Sequence, residues 1–410
     1  MTSSDSEPGT AIAPPIARES RTTSGASTPR SRNGYSNEAV LLACVGLILV
    51  LLAFTAVISR LYHKDVHVLA DQWFASGEAE LAAGNAQRAI VDYQNALVYS
   101  PGNPIFQFHL AQALLAAGGG EKARSYLLNL LSESPASGQI NLELARIAAS
   151  EKGSAQDAIR YYNAAIYGVW DQDPIVMRWN VRRELCGYLL AHNMRSQAEP
   201  EIIALAQEVP PGDAQRRKDA GALLLRVGLW NRAFDEYHAV LITHKHDSDA
   251  LLGAATASFQ LGQYTRALSF LDALPPEKQA DPEVSSMMET ARAVDAENPY
   301  NLGLSAAERA RRAAKAIELA TSRAQQCIAR TGPLNPDSAP TPVQESLAAM
   351  RAMASKWSRQ NLARNPALID DAMKVVFQLE NAAQQQCGTP ERTADRALLL
   401  IAQSRFGAQP

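Results

Sequence analysis

At 410 residues the chain exceeds one ordinary helical domain, and two or three units are expected. It is 47% hydrophobic but only 6% aromatic, and alanine fills much of the apolar share, so closely packed α-helices are expected throughout. The formal net charge of −3 gives no ground for nucleic acid as a partner.

Residues 1–37 are Ser/Thr/Pro-rich with scattered arginines and almost no large apolar side chains. Such a segment cannot bury enough surface to offset its chain entropy and reads as a disordered tail. "AVLLACVGLILVLLAFTAVIS", Ala39 to Ser59, follows without a charge. At about 1.5 Å per residue it crosses a hydrocarbon core of about 30 Å, and residues 38–60 are read as a transmembrane helix. A cleaved signal peptide is the alternative, but its apolar region would be shorter, about 7–15 residues, and would not follow so long a tail. Arg18, Arg21, Arg30 and Arg32 precede the span, whereas Arg60 and Lys64 follow it, so positive-inside reasoning puts the C-terminal part on the outer side.

From residue 66 onward an internal period emerges. Trp73, Gly77, Ala89, Tyr93, Ala96 and Pro101 are matched 34 residues later by Gln107, Ala111, Ala123, Leu127, Leu130 and Pro135. A looser third copy runs through Asn141, Ala145, Ala158, Tyr162 and Ala165, and a weak fourth through Arg182, Cys186, Ala198, Ile202, Leu205 and Pro210. The fifth and sixth copies are marked by Gly221, Ala233 and Tyr237, then by Ala255, Ala267 and Leu271. Small residues at fixed points let antiparallel helices touch, large ones fill the space beside the crossing, and Gly84, Gly118, Gly228 and Gly262 mark the turns. Between the third and fourth copies "YGVWDQDP" breaks the period, and Asp173–Pro174 opens a longer helix.

This pattern resembles the tetratricopeptide repeat family, whose unit is a 34-residue helix–turn–helix. The resemblance implies an all-α fold, a solenoid of about six repeats over residues 66–296, its last helix serving as a polar cap. It also implies a concave groove lined by the first helix of each repeat. The corresponding positions are Asp71, Phe74, Glu78 and Leu81, then Ile105, Phe108, Gln112 and Leu115, then Gln139, Leu142 and Arg146. One subfamily holds C-terminal carboxylates through a lysine and asparagines; Phe74 and Glu78 occupy those places here, which argues against that ligand. Phenylalanine at helical spacing is also ordinary core packing, so Phe74 and Phe108 admit both readings.

Beyond the repeats, residues 304–406 read as a bundle of four helices. "SAAE" at Ser305–Glu308 is a capping box opening the first, to about Arg330. Thr341, Pro342 and Gln344 start the second, to about Arg364; Asn365–Pro366 the third; Thr389–Pro390 the last. Leu368, Met373, Val376, Phe377 and Leu379 mark the apolar face of the third. Cys44 lies in the span and Cys186 at a core position. An up-down-up path returns Cys387 toward Cys327, and either a disulfide in an oxidising compartment or two buried thiols would fit.

Catalytic signatures are lacking: there is no phosphate loop, no His-Glu-x-x-His and no nucleophile elbow. The lack of Cys-x-x-Cys separates the chain from the membrane-anchored tetratricopeptide proteins of lipopolysaccharide assembly. "THKHDSD", with His244, His246, Asp247 and Asp249, falls in an inter-repeat turn, where polar residues are normal. The expectation is a non-enzymatic scaffold in a bacterial inner membrane. Its periplasmic solenoid would hold a protein or peptide, in envelope assembly or the handling of exported proteins, with no cofactor, metal, nucleic acid or small-molecule substrate. Two alternatives stand beside it: an enzyme or metal-binding protein with its site in the C-terminal bundle, and a cytoplasm-facing targeting receptor.

Overall fold

The computed structural model describes residues 37–151, 153–331 and 339–406. The tail read as disordered and most of the proline-rich loop before Thr341 lie outside the described residues. Nineteen α-helices and no strand are found among the described residues. The first, α1 (Asn37–Ala82), is one unbroken helix of 46 residues, about 69 Å long. Its first part is an apolar stretch, Val40–Val57, exposed along its whole length; its last part is the first helix of the first repeat. Nothing between Ser59 and Ala82 interrupts it, for no proline lies there and the single glycine, Gly77, sits inside a packed crossing.

Antiparallel pairs follow: α2 (Ala86–Tyr99) on α1; α3 (Pro104–Ala116) with α4 (Gly120–Glu133); α5 (Gly138–Ser150) with α6 (Ala155–Ile166); α7 (Pro174–Ala191) with α8 (Arg195–Gln207). Two further pairs are α9 (Ala214–Arg226) with α10 (Trp230–Thr243) and α11 (Ser248–Gln260) with α12 (Tyr264–Leu271). Asn103, Ser137, Asp173, Asp213 and Asp247 each accept a backbone N–H at the start of the odd-numbered helices α3 to α11. At the turn between paired helices Gly84 and Gly118 take positive φ (81° each); in the weak fourth repeat Asn193 takes that conformation instead (57°).

The period of small residues has a direct physical cause. Ala89, Ala96, Ala111, Ala123, Ala145, Ala158, Ala233, Ala255 and Ala267 are fully buried at helix crossings. A Cβ on Gly77 would stand 2.7 Å from the Tyr93 ring, and one on Gly221 2.9 Å from the Tyr237 ring. In both repeats the tyrosine of the second helix lies flat on the glycine of the first. Overpacking such a crossing costs about 1–3 kcal/mol, so Ala89→Leu should destabilise the solenoid by that much and lower its urea midpoint. An unchanged midpoint would mean that Ala89 is not at a crossing.

Past the sixth repeat come a single turn, α13 (Pro276–Gln279), and α14 (Pro282–Glu297), capped by Asp281. The C-terminal helices are α15 (Ala306–Thr331), α16 (Pro342–Met353), α17 (Arg359–Arg364), α18 (Pro366–Cys387) and α19 (Thr393–Phe406). Two boundaries differ from the sequence reading. The helix expected from Pro342 to Arg364 is broken, because Trp357 turns into the core and Ser358 caps a new helix. The last helix begins at Thr393, with Pro390 buried in the loop ahead of it. The capping box at Ser305 is only half formed: Ser305 Oγ accepts from Glu308 N at 3.2 Å, but the Glu308 carboxylate turns to Arg311 and Arg312. Thr341 and Gln344 form the full reciprocal box. One apolar cluster joins α15–α19 to Tyr264, Ala291 and Val294, so the helices after residue 304 dock on the end of the solenoid and share its core.

Inside that cluster Arg323 and Glu380 form a buried ion pair, and Arg323 also donates to the Gly388 carbonyl at 3.0 Å. Cys327, one turn further along α15, is joined to Cys387 in a disulfide with Cα atoms 5.8 Å apart. Burial pushes the Glu380 carboxyl up to about 7, against the pull of Arg323. A folded value above the unfolded one means that this group's contribution is complete at low pH and is lost as pH rises toward 7. The wild-type chain should therefore lose stability relative to Glu380→Gln between about pH 5 and 7. A pH-independent difference in denaturation midpoint would contradict it.

Candidate functional site

The first helices of the six repeats, α1, α3, α5, α7, α9 and α11, carry the face to which the sequence reading assigns the groove. Asp71 and Ile105 are exposed on it. Phe74, Leu81, Phe108 and Leu115 are half-buried, and all four pack on one cluster whose centre is Tyr93, Leu110 and Leu127. They are not equivalent. Phe74 is enclosed by rings: it stacks on Phe106 (centroids 4.9 Å), meets His109 edge-on at 5.0 Å and tilts against Tyr93 at 5.6 Å. Its role is therefore mainly packing. Among the described residues Phe108 has only His109 as an aromatic neighbour, and it borders open space. Leu142, placed in the groove by the sequence reading, is instead buried in the core with Tyr162, Trp170 and Leu185, because the chain past α6 folds back over it.

The polar groove residues are tied to one another. Glu78 pairs with His109 at 2.7 Å and accepts from the Tyr93 hydroxyl. Gln112 donates to Glu143 at 3.2 Å, and Arg146 bridges Glu143 to Glu184, with two bonds of 2.9 Å to the latter. Tyr162 adds its hydroxyl to Glu184 at 2.9 Å. Further along, Arg183 approaches Asp219 at 4.0 Å and Lys218 reaches Asp247 and Asp249. Each adjacent pair of first helices is thus linked across the groove floor by a polar contact. Burial raises the Tyr93 and Tyr162 hydroxyls above their ordinary range, and their carboxylate neighbours push the same way. Glu184 is held low by Arg146 in spite of burial, so the Arg146–Glu184 link is ionic.

Sequence reasoning missed this ladder and placed Glu78, Gln112 and Arg146 only as groove positions. Its signal was present: Glu78 and His109, Gln112 and Glu143, and Lys218 and Asp249 are each 31 residues apart, one repeat less about one helical turn. Asp247 caps α11 and holds Lys218, and His244 Nδ1 lies 2.8 Å from the Thr243 hydroxyl, so these side chains of "THKHDSD" are engaged locally. Among the described residues no group of three or more metal-ligating side chains converges.

An opening of about 340 Å³ remains where the second and third repeats meet. Ile105, Phe108, His109, Gln139 and Ile140 line it, and Asp171 and Gln172, in the insertion before α7, form its rim. It brings together the exposed groove positions of α3 and the start of α5. No group in it is arranged as a nucleophile with a base; it offers apolar surface, an imidazole edge and a carboxylate.

A family model for the tetratricopeptide repeat matches residues 80–147 and 224–291, which include the second-helix residues Ala89, Tyr93, Ala233 and Tyr237. These two stretches are tetratricopeptide repeats. No curated protein matches it. Solved structures of similar shape include YrrB, described as a TPR protein with an unusual peptide-binding site, at 17% identity over 47% of this chain and 95% of that one, TM-score 0.37. A TPR protein from Parabacteroides merdae is 13% identical over 81% and 98%, TM-score 0.36. The TPR2AB domain of yeast Sti1 in a pHSP90 complex is 19% identical over 55% and 99%, TM-score 0.23. At such scores these neighbours carry no argument about a ligand.

Proposed function

We propose that the chain is a membrane-anchored scaffold that holds a protein or peptide in the opening between its second and third repeats. The observation that carries this reading is Phe108: alone among the groove aromatics it borders open space, with Ile105 and Ile140 beside it. An extended segment with a large apolar side chain fits such a cleft, and His109 and Asp171 supply polar contacts at its edges. The polar ladder fixes the spacing of the first helices and keeps the cleft open before a ligand arrives, which limits the ordering cost of binding.

The apolar stretch Val40–Val57 serves as the anchor, with the solenoid on the outer side of a bacterial inner membrane. The arginines ahead of the span and the Cys327–Cys387 disulfide, which belongs to an oxidising compartment, both support that orientation. Envelope assembly or the handling of exported proteins is the role consistent with such a position.

Peptides selected from a random library against the full chain in nanodiscs provide the test. Phe108→Ala should weaken a selected peptide by about tenfold or more, as expected for loss of an apolar anchor. It should leave the thermal midpoint within a few degrees of wild type, because Phe108 is not in the closed core. Unchanged affinity for every selected peptide would reject the cleft.

A further inference from the structure

We infer that the edge of the first three repeats nearest the bilayer rests on the lipid surface, as a second, apolar contact beside the anchor. This rests on the membrane reading of Val40–Val57. Because α1 runs unbroken from that stretch into the first repeat, the direction of the bilayer relative to the solenoid is fixed. The edge toward it holds the start of the repeat portion of α1, the end of α2, the start of α3, and the loops joining α4 to α5 and α6 to α7. The last two are tied together, Gly138 N donating to Val169 O at 2.8 Å and Val169 N to Ala136 O at 2.7 Å.

Exposed large apolar side chains concentrate on that edge. Val68 is 56% exposed, Val98 70%, Tyr167 72%, Val169 68% and Ile175 63%. The opposite edge, made by the turns within the helix pairs, carries none of them among the described residues of these repeats. Nothing in the solenoid's own packing requires the asymmetry, since both edges are loops.

The distances allow contact. Val68 follows Ser59 by about 14 Å of helix, and the headgroup zone takes up roughly 6 Å of this. Spanning helices tilt by about 20°, which lowers a point some 20 Å to the side by about 7 Å. The loops of the second and third repeats lie two to three helix spacings to the side, at about 8–10 Å each. A modest tilt toward them therefore brings Tyr167 and Val169 to the headgroups, where an amphipathic tyrosine is favoured. The twist of a repeat stack carries later repeats away, which limits the contact to the first three. Glu133, Asp171 and Asp173 are exposed on the same edge, so the surface it suits is zwitterionic lipid held by apolar contact, not an anionic membrane held by charge; because Asp171 also rims the cleft, a segment held there lies beside the headgroups.

The test uses the full chain with Cys44→Ala, reconstituted in phosphatidylcholine vesicles that contain headgroup-quencher lipids. A fluorophore is placed by Val98→Cys or Val169→Cys on the near edge, or by Asn193→Cys on the far edge. Quenching should be several-fold stronger at the two near sites, unchanged by salt, and weaker when anionic lipid replaces part of the phosphatidylcholine. Equal quenching at both edges, quenching that rises with anionic lipid, or near-edge labels that instead report proximity to a second copy would overturn the inference. A label on native Cys44, read with acyl-chain quenchers, separates the two failures. If Cys44 is not quenched the anchor reading falls; if it is quenched while Val98→Cys and Val169→Cys are not, only the edge contact falls.

Discussion

Arg323→Ala should cost the fold about 3–5 kcal/mol, since it leaves the Glu380 carboxylate buried without its partner. Both side chains are inside: Arg323 is 7% exposed and Glu380 fully enclosed. The arginine also holds the Gly388 carbonyl and the Gln384 side chain, so its loss frees the end of α18 as well. The pair itself is a different matter from one partner alone. Replacing both charges, as Arg323→Met with Glu380→Leu, should recover most of the loss, because well-packed apolar side chains often match a buried ion pair. Chemical denaturation of the two variants checks this. A single variant as stable as wild type would show that water reaches Glu380, and the shared core of α15 and α18 would be wrongly described.

Cys387→Ser should cost about 4 kcal/mol, the chain-entropy value for a loop closed over 60 residues. The closed loop includes the segment around residues 332–338 and the broken pair α16 and α17, so the unfolded chain gains much freedom when the link is cut. Arg323 donates to Gly388, beside Cys387, so the two losses act on the same joint. Arg323→Ala with Cys387→Ser should therefore cost less than the sum of the single changes. Additive costs would mean that the ion pair and the disulfide stabilise separate structures.

Much of this architecture is legible in the residues because each rule acts locally. Asp173, Asp281 and Asn365 stand before prolines and become caps, each accepting backbone N–H groups. Gly77 predicts a crossing because nothing larger fits beneath Tyr93, and Ala89 is fully buried at the same crossing. What escaped depends on neighbours far away in sequence. The break at residues 354–358 exists because Trp357 gains more by turning into the core than the helix gains by continuing; Ser358 was its one local sign. Leu142 was assigned to the groove by its repeat position, but the insertion before α7 covers that position with Trp170. Repeat position put the groove residues in one set but did not tell their state. Phe74 and Phe108 hold the same repeat position, and only the rings around Phe74 set them apart. The rungs of Glu78 and Gln112 required reading pairs at a spacing of 31, which a search for identical positions at 34 passes over.

The central claim is that a partner sits between the second and third repeats. Site-specific photocrosslinking in living cells tests it most directly, with p-benzoylphenylalanine placed at Phe108 in the cleft, at Val91 on the outer face of α2, and at Glu318 on α15. The account predicts a discrete protein adduct from position 108 that disappears on Ile105→Asp, and no comparable adduct from positions 91 or 318. Adducts from position 91 or 318 with none from position 108 would contradict it.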